Sequence, residues 1–489
     1  MALTRNANLV NTALSFAGAG LGFVNQVVLM AGFFSPEELG LTRVLFQSGT
    51  LLAQFMVFGT NPLVIRFYRA DAPPVLRNLR LASASILAFG ALISVLLLWV
   101  FQKPFIAFYV EKSALFATYA YWAVPLALGL AVFQLLAAWA QSAQRSVLET
   151  GLKEVGLRLL ITIGISAYLF DWVSFEVFVG YYAWIPMITA LALGAALWPR
   201  KTVSRDQEEE SAIPWKVYLR FSAYNVLSRA SNFITLTIDV LFLGALVGLE
   251  AVAVYSIATY LVGFMMIPYR ALQKVAFPRV ARWWQDKDKA SIQKLYGETA
   301  NGLLFWSGTI FVGLSLCLPW FNAYLGPEYA GVGLVFSIFG LGRLVEMITS
   351  INRGILRNSP LFRFETLYSL IFMGTLIGLD LWLIPVFEEL GAGRGVEGAA
   401  WGSAGAFLLF NTLISSTLFF AYGMMPFRPQ QLILAVWLFL SWFLLPRWSP
   451  TDQILLDTFI RAAIFGLSAI GIFMYWYQKK ANRDWLTLK

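Results

Sequence analysis

Six arginines lie inside stretches that are otherwise apolar: Arg43, Arg158, Arg229, Arg270, Arg343 and Arg461. In hydrocarbon an arginine costs at least ~2.5–3.5 kcal/mol, so each calls for water, an acid or an anionic ligand. Guanidinium suits phosphate, because its planar fork bonds two oxygens and it stays charged. Acids at similar depth are fewer and include Asp239, Glu346 and Asp380. Arg343 and Glu346 stand three residues apart and can neutralise each other. Arg158 and Arg461 can snorkel toward an interface. Arg229 and Asp239 are separated by roughly 15 Å along one helix and cannot pair. Arg43, Arg229 and Arg270, assisted by Arg343, are therefore the candidates for a cationic cavity that receives phosphate.

Polar stripes accompany these charges. Asn8, Asn11, Ser15, Gly18, Gly22 and Asn25 recur at helical spacing on one face. Arg43, Gln47, Thr50, Gln54 and Asn61 form a second stripe, and Asn225, Arg229, Asn232, Thr235 and Asp239 a third. Lipid cannot satisfy such groups, so they must face protein or water. Hydrogen bonding between packed helices is one account. A hydrated cavity is the other and the favoured one, with Asn11, Asn25, Gln47, Gln54, Asn225 and Asn232 offering donors and acceptors to sugar hydroxyls.

The elements that carry these residues must be membrane helices. Of 489 residues, 59% are hydrophobic and 13% charged, with a mean hydropathy of +0.68, against roughly 45–50% and 25% in soluble chains. Fourteen segments can span: 8–31, 38–60, 80–101, 115–139, 152–170, 174–198, 217–246, 250–277, 297–321, 330–352, 363–386, 396–422, 430–446 and 456–477. The first, behind Arg5, resembles a signal peptide, but its asparagines and lack of a cleavage site make it a retained helix. With the N-terminus inside, 26 lysines and arginines fall in inside segments and four outside. That bias places both termini in the cytoplasm. It also explains the net charge of +9 by anionic lipid rather than nucleic acid. The chain has no histidine and one cysteine, Cys317, which excludes His-based catalysis, His-ligated metal and an intrachain disulfide. It has no phosphate-binding G-x-x-x-x-G-K-[ST] loop, and no cofactor is expected.

The organisation reads as two lobes. Residues 1–198 carry six spans, 199–216 form a polar cytoplasmic linker, 217–422 carry six more, and 423–489 add two helices and a tail. Pro36 to Arg69 aligns with Leu249 to Arg282 at an offset of 213, placing Arg66 on Arg279 and Arg69 on Arg282. Both copies begin with an inside-to-outside helix. The expected fold is therefore all-α, with fourteen helices in two six-helix lobes related by a parallel pseudo-two-fold, plus a C-terminal pair. Such architectures place substrate at the repeat interface.

The run from Ile238, I-D-V-L-F-L-G-A-L-V-G-L-E-A-V-A-V-Y-S-I-A, and F-P-R from Phe277 resemble the seventh and eighth helices of polysaccharide flippases. S-P-E-E-L-G-L from Ser35 and G-R-G-V-E-G-A-A-W-G-S-A-G from Gly393 resemble their first periplasmic loop and the entry to their twelfth helix. These flippases are the Wzx-type branch of the multidrug/oligosaccharidyl-lipid/polysaccharide (MOP) exporter superfamily. The resemblance implies a non-enzymatic protein of the bacterial inner membrane. It implies transfer of an undecaprenyl-pyrophosphate-linked oligosaccharide from the cytoplasmic to the periplasmic leaflet by alternating access, alongside glycan polymerase machinery. Asp239 matches the family's frequent acid at the outer end of the seventh helix, and Asp239 or Glu346 could couple transport to H+ or Na+. The arginines match only the general character of a basic lumen. Lipid II flippases of the superfamily carry charges in their first helix, where this chain has only Arg5. A lipid II flippase and an ion-coupled multidrug antiporter are the alternatives. A cationic drug would need an acid-rich cavity, whereas arginines outnumber acids here. A membrane glycosyltransferase would bring larger outside loops and a recognisable acidic motif.

Overall fold

The computed structural model describes residues 2–69, 73–197, 214–451 and 453–481. The side chains of 2–9, 73–74, 224–236 and 476–481 lie outside the description, as does most of the expected linker. The described residues are helices and short connections, with no strand among them. In order they are α1 (Ala2–Phe23), α2 (Pro36–Val57), α3 (Thr60–Phe67), α4 (Pro73–Val110), α5 (Ala123–Ser142), α6 (Leu157–Leu169), α7 (Phe175–Leu197), α8 (Trp215–Leu246) and α9 (Leu249–Met265). They continue as α10 (Ile267–Gln285), α11 (Lys289–Leu325), α12 (Val332–Thr349), α13 (Asn352–Asn358), α14 (Phe362–Glu389), α15 (Gly395–Tyr422), α16 (Pro429–Leu444) and α17 (Ile454–Ala481).

Helix occupies all fourteen expected segments. Among the described residues, ten helices are long and apolar enough to cross a membrane, and twelve if each of two bent pairs is one span. The fifth and seventh expected spans fall outside that count, the seventh because the side chains of 224–236 lie outside the described residues. The fifth, 152–170, starts within a π-helical turn at Gly151–Gly156 and continues as α6, and it carries Lys153, Glu154 and Arg158. The seventh, α8, has only Thr237–Leu246 described as an apolar stretch.

The two bent pairs are the segments that align at an offset of 213. α2 begins with a capping box: Ser35 Oγ accepts from the Glu38 backbone at 3.2 Å, and Glu38 Oε2 accepts from the Ser35 backbone at 2.9 Å. It ends where Phe58 and Gly59 take left-handed φ of 44° and 75°, and α3 leaves at 48°. α9 and α10 meet at 47°. There Pro268, at the start of α10, lacks an N–H and crowds the preceding turn.

The chain divides into two compact units, 1–256 with 380–396, and 257–379 with 397–489. The first takes in α8, which the sequence reading assigned to the second lobe, because α8 lies along α2, α3 and α4. At its centre α5 packs on α2 and α7. Small residues allow this closeness: a Cβ on Gly129 would stand 2.5 Å from the Met187 nitrogen. In the second unit α11 is central, touching α10, α12, α16 and α17. Phe305 stacks on Trp437 and Phe473, and Trp437 on Phe465, which fastens the C-terminal pair to α11.

Gly40 of α2 meets the first residue of α9 so closely that a Cβ there would lie 2.0 Å from the Leu249 carbonyl oxygen. Backbone cannot yield cheaply, so Gly40→Ala should cost ~1–3 kcal/mol and lower the melting temperature of the detergent-solubilised protein. Gly20→Ala, where nothing lies within 4 Å, should leave it unchanged or slightly higher. Equal melting temperatures for both variants would show that this approach is not tight.

Candidate functional site: a buried acid pair

The first unit brings together three side chains far apart in sequence. Asp239 stands near the end of α8 and Tyr255 on α9. The turn between them passes through Gly248 at φ +139°, a backbone region that side chains rarely adopt. This reversal lets the Tyr255 hydroxyl donate to the Asp239 carboxylate. Asp380, on α14, is fully buried, with Asp239 at 8% exposure. Its carboxyl lies within hydrogen-bonding reach of Asp239, yet among the described residues neither of its oxygens receives a bond from a donor. Both observations fit if a bond between two carboxyls forms only when one of them carries a proton. Two ionised carboxylates side by side in a dry interior repel and lose hydration. A shared proton or small cation would relieve that repulsion. Among the described residues no three acidic or cysteine side chains gather as a metal-ion site. The sequence pointed to Asp239 but gave no sign that Asp380 was its neighbour.

The arginines occupy different settings. Arg43 is half-buried on α2, near enough for its charge to act on the Tyr182 hydroxyl of α7. Arg229, Asn225 and Asn232 fall on α8 where side chains are outside the described residues. Arg270 is exposed on α10, with exposed Lys274 one turn on. Arg343 is brought to Glu346, 2.8 Å away, and lies over the Phe407 ring at 3.8 Å. Tyr269, beside Arg270 in sequence, feels Glu346, Arg353 and Arg343. Glu346 thus has a built-in counter-charge in Arg343.

The first polar stripe bonds to the fifth expected span and to the short helix, Ser146–Thr150, just before it. Asn11 Nδ2 donates to Ser146 Oγ at 3.2 Å, Asn25 Nδ2 to the Arg158 carbonyl at 2.9 Å, and Thr162 Oγ1 to Asn25 Oδ1 at 2.8 Å. Asn25 sits in a π-helical turn, Val24–Met30, and faces the strand of helix that follows a second such turn at Gly151–Gly156. In the second stripe, Gln54 and Asn61 both donate to Gln134 Oε1, at 3.3 and 3.5 Å, while Gln47 is half-buried. Interhelical bonds of this kind contribute ~0.6–2 kcal/mol each.

The family described as polysaccharide biosynthesis protein matches residues 4–284. The chain belongs to that family. No curated protein matches it. Among solved structures it is similar to the lipid II flippase MurJ in an inward closed conformation, with a TM-score of 0.68 and 12% identity, over 95% of this chain and 98% of that one. It is also similar to a multidrug resistance MATE family transporter of the MOP superfamily in an inward-facing conformation, with a TM-score of 0.51 and 14% identity, over 83% and 98%. These likenesses show a shared fold.

If an ion holds the Asp239–Asp380 pair together, the wild-type melting temperature should depend on Na+ concentration or on pH, and Asp380→Asn should abolish that dependence without lowering stability in ion-free neutral buffer. Thermal unfolding across a Na+ and pH series reads this directly. A wild-type curve insensitive to both would remove the shared ion.

Proposed function

We propose that this protein is a flippase of the bacterial inner membrane that moves a saccharide head group, carried on undecaprenyl pyrophosphate, from the cytoplasmic to the periplasmic leaflet. The observation that carries this reading is the likeness to a lipid II flippase over nearly the whole of both chains, fuller than that to the multidrug transporter. Membership of a polysaccharide biosynthesis family supports a saccharide-bearing substrate. The same likeness favours lipid II as a specific second reading beside longer lipid-linked oligosaccharides. The fuller architecture belongs to this proposal: fourteen spans in two six-helix lobes and a C-terminal pair, both termini cytoplasmic. Helix in every expected segment and the matched bends of 48° and 47° support it.

The chemistry follows from the residues. Arg270, exposed and a turn from Lys274, offers two oxygen-binding N–H groups to a phosphate. Arg43 and Arg229 add positive charge. Arg343 contributes less, because Glu346 already neutralises it. Amide side chains serve sugar hydroxyls through donors and acceptors alike. A cell interior negative by 100 mV favours outward movement of each negative charge by ~2.3 kcal/mol. The Asp239–Asp380 pair, holding H+ or Na+, supplies a second coupling, since alternating access can be biased only by a ligand that binds one state better than the other. Glycan polymerase machinery would receive the product.

In proteoliposomes carrying a fluorescent undecaprenyl-pyrophosphate saccharide, head-group accessibility should rise with wild-type protein and fall about ten-fold in rate for Arg270→Ala, the scale of one charge-assisted bond. Arg343→Ala should slow it less. Parallel arms with lipid II and with a longer lipid-linked oligosaccharide separate the two substrates. A wild-type rate in the Arg229→Ala/Arg270→Ala double variant would remove those arginines from the mechanism, and efflux of cationic dyes without flipping would overturn the substrate class.

A further inference from the structure

The second unit contains a cavity of about 630 Å³ that none of the chemistry above uses. Leu318 and Asn322 from the last turns of α11, Leu334 from the first turns of α12, and Phe439, Trp442 and Arg447 from the end of α16 and just beyond line it. It lies at the end of α11 remote from Lys289 and Lys294, the end that the charge bias assigns to the periplasm. Trp320, Tyr324 and Trp448 are exposed close by in sequence, as aromatic side chains are at head-group depth. The cavity is thus an apolar slot at the level where lipid phosphates sit.

Its polar groups are few. Arg447 is exposed at the mouth. Its Nη1 donates to the Phe443 carbonyl at 2.5 Å and its guanidinium lies over the Phe443 ring at 3.7 Å. Among the described residues it has no acidic partner. Asn322 Oδ1 is buried and accepts no bond from the described residues. The loop behind Arg447 is held firmly. Arg461, 4% exposed, donates to the Trp448 carbonyl at 2.7 Å and to Ser449 Oγ at 2.8 Å, and pairs with Asp457 at 3.2 Å. Asp457 Oδ1 in turn accepts from the backbone and hydroxyl of Thr451. A buried charged clamp beside a lone exposed arginine holds that arginine in place at the mouth.

We propose that this slot binds one anionic phospholipid of the phosphatidylglycerol type. The phosphodiester meets Arg447, an acyl chain lies among Leu318, Leu334, Phe439 and Trp442, and a glycerol hydroxyl donates to Asn322 Oδ1. A single unneutralised guanidinium matches a head group of net charge −1. A zwitterionic choline or ethanolamine head would bring a cation to a mouth where, among the described residues, no carboxylate pairs with Arg447. The site rests on the membrane reading alone and is separate from the substrate proposed above.

Native mass spectrometry of the full chain, titrated in detergent with phosphatidylglycerol or phosphatidylcholine, tests it. Wild type should hold one phosphatidylglycerol molecule at least five-fold more tightly than phosphatidylcholine. Arg447→Ala should lose about ten-fold in phosphatidylglycerol affinity and with it the preference, whereas Arg363→Ala, a basic residue outside the cavity lining, should not. Gly333→Leu provides a second route. A Cβ there makes only ordinary contact, 3.6 Å from Leu318 Cδ1 and 3.9 Å from Asn322 Nδ2, so the added side chain should fill the slot and displace both lipids without unfolding the protein. Equal binding of the two lipids by wild type, equal losses in Arg447→Ala and Arg363→Ala, or full binding in Gly333→Leu would each overturn the proposal. A flippase-inactive preparation that still shows the preference would leave this site standing while the transport reading fails.

Discussion

In a bilayer core there is no water to take up an unpaired charge, and the rest of this molecule is arranged around that constraint. Three of its ion pairs are local: Arg158 with Glu154 at 2.6 Å, Arg343 with Glu346 at 2.8 Å, and Arg461 with Asp457 at 3.2 Å, each one helical turn apart. Arg353 reaches the next helix to meet Glu365 at 2.7 Å. Such pairs settle a charge where it was made and hold it whatever else moves. Against them Asp380 stands out. Its neighbour among the described residues is another acid, Asp239, which also accepts from the Tyr255 hydroxyl.

The constraint also decides how the polar stripes are read. A stripe of amides on an apolar helix is compatible with a wet cavity and with a dry seam. Asn11, Asn25, Gln54 and Asn61 all have partners on neighbouring helices of the same unit, and Gly18 packs so that a Cβ would come within 2.5 Å of the Glu154 carbonyl oxygen. Those residues hold the bundle together. The groups left facing outward are basic and lie on α10, where Arg270, Lys274, Arg279 and Arg282 are exposed.

What the sequence disclosed follows the range of each interaction. Spans were legible because apolar length is a local property, and so was Arg343 with Glu346, since three residues on a helix fix their distance. Asp239 beside Asp380 was not, because their meeting depends on α14 contributing its end, 380–396, to the first unit. No spacing rule reports that. Nor did the sequence announce that α8 would pack along α2, since the apolar face of α8 would suit either unit. The bend at Pro268 could have been read from its missing N–H. The bend at Phe58 and Gly59 could not, because phenylalanine seldom takes a left-handed φ of 44°.

Those two bends carry the argument one step further. The aligned segments reach 48° and 47° by different means, a left-handed pair in one and a proline in the other. Their likeness thus lies in geometry, while the residues that produce it differ. In both, the arm beyond the bend is the basic one, with Arg66 and Arg69 in α3 and the connection after it, and Arg279 and Arg282 in α10, all exposed. Long cationic side chains on such an arm can hold their charged heads outward while their stems stay in apolar surroundings. Arg66 shows the arrangement, its guanidinium lying 4.8 Å above the Phe221 ring. A straight helix would carry the same arginines in line with α2 and α9, so in both segments the bend is what redirects the basic arm.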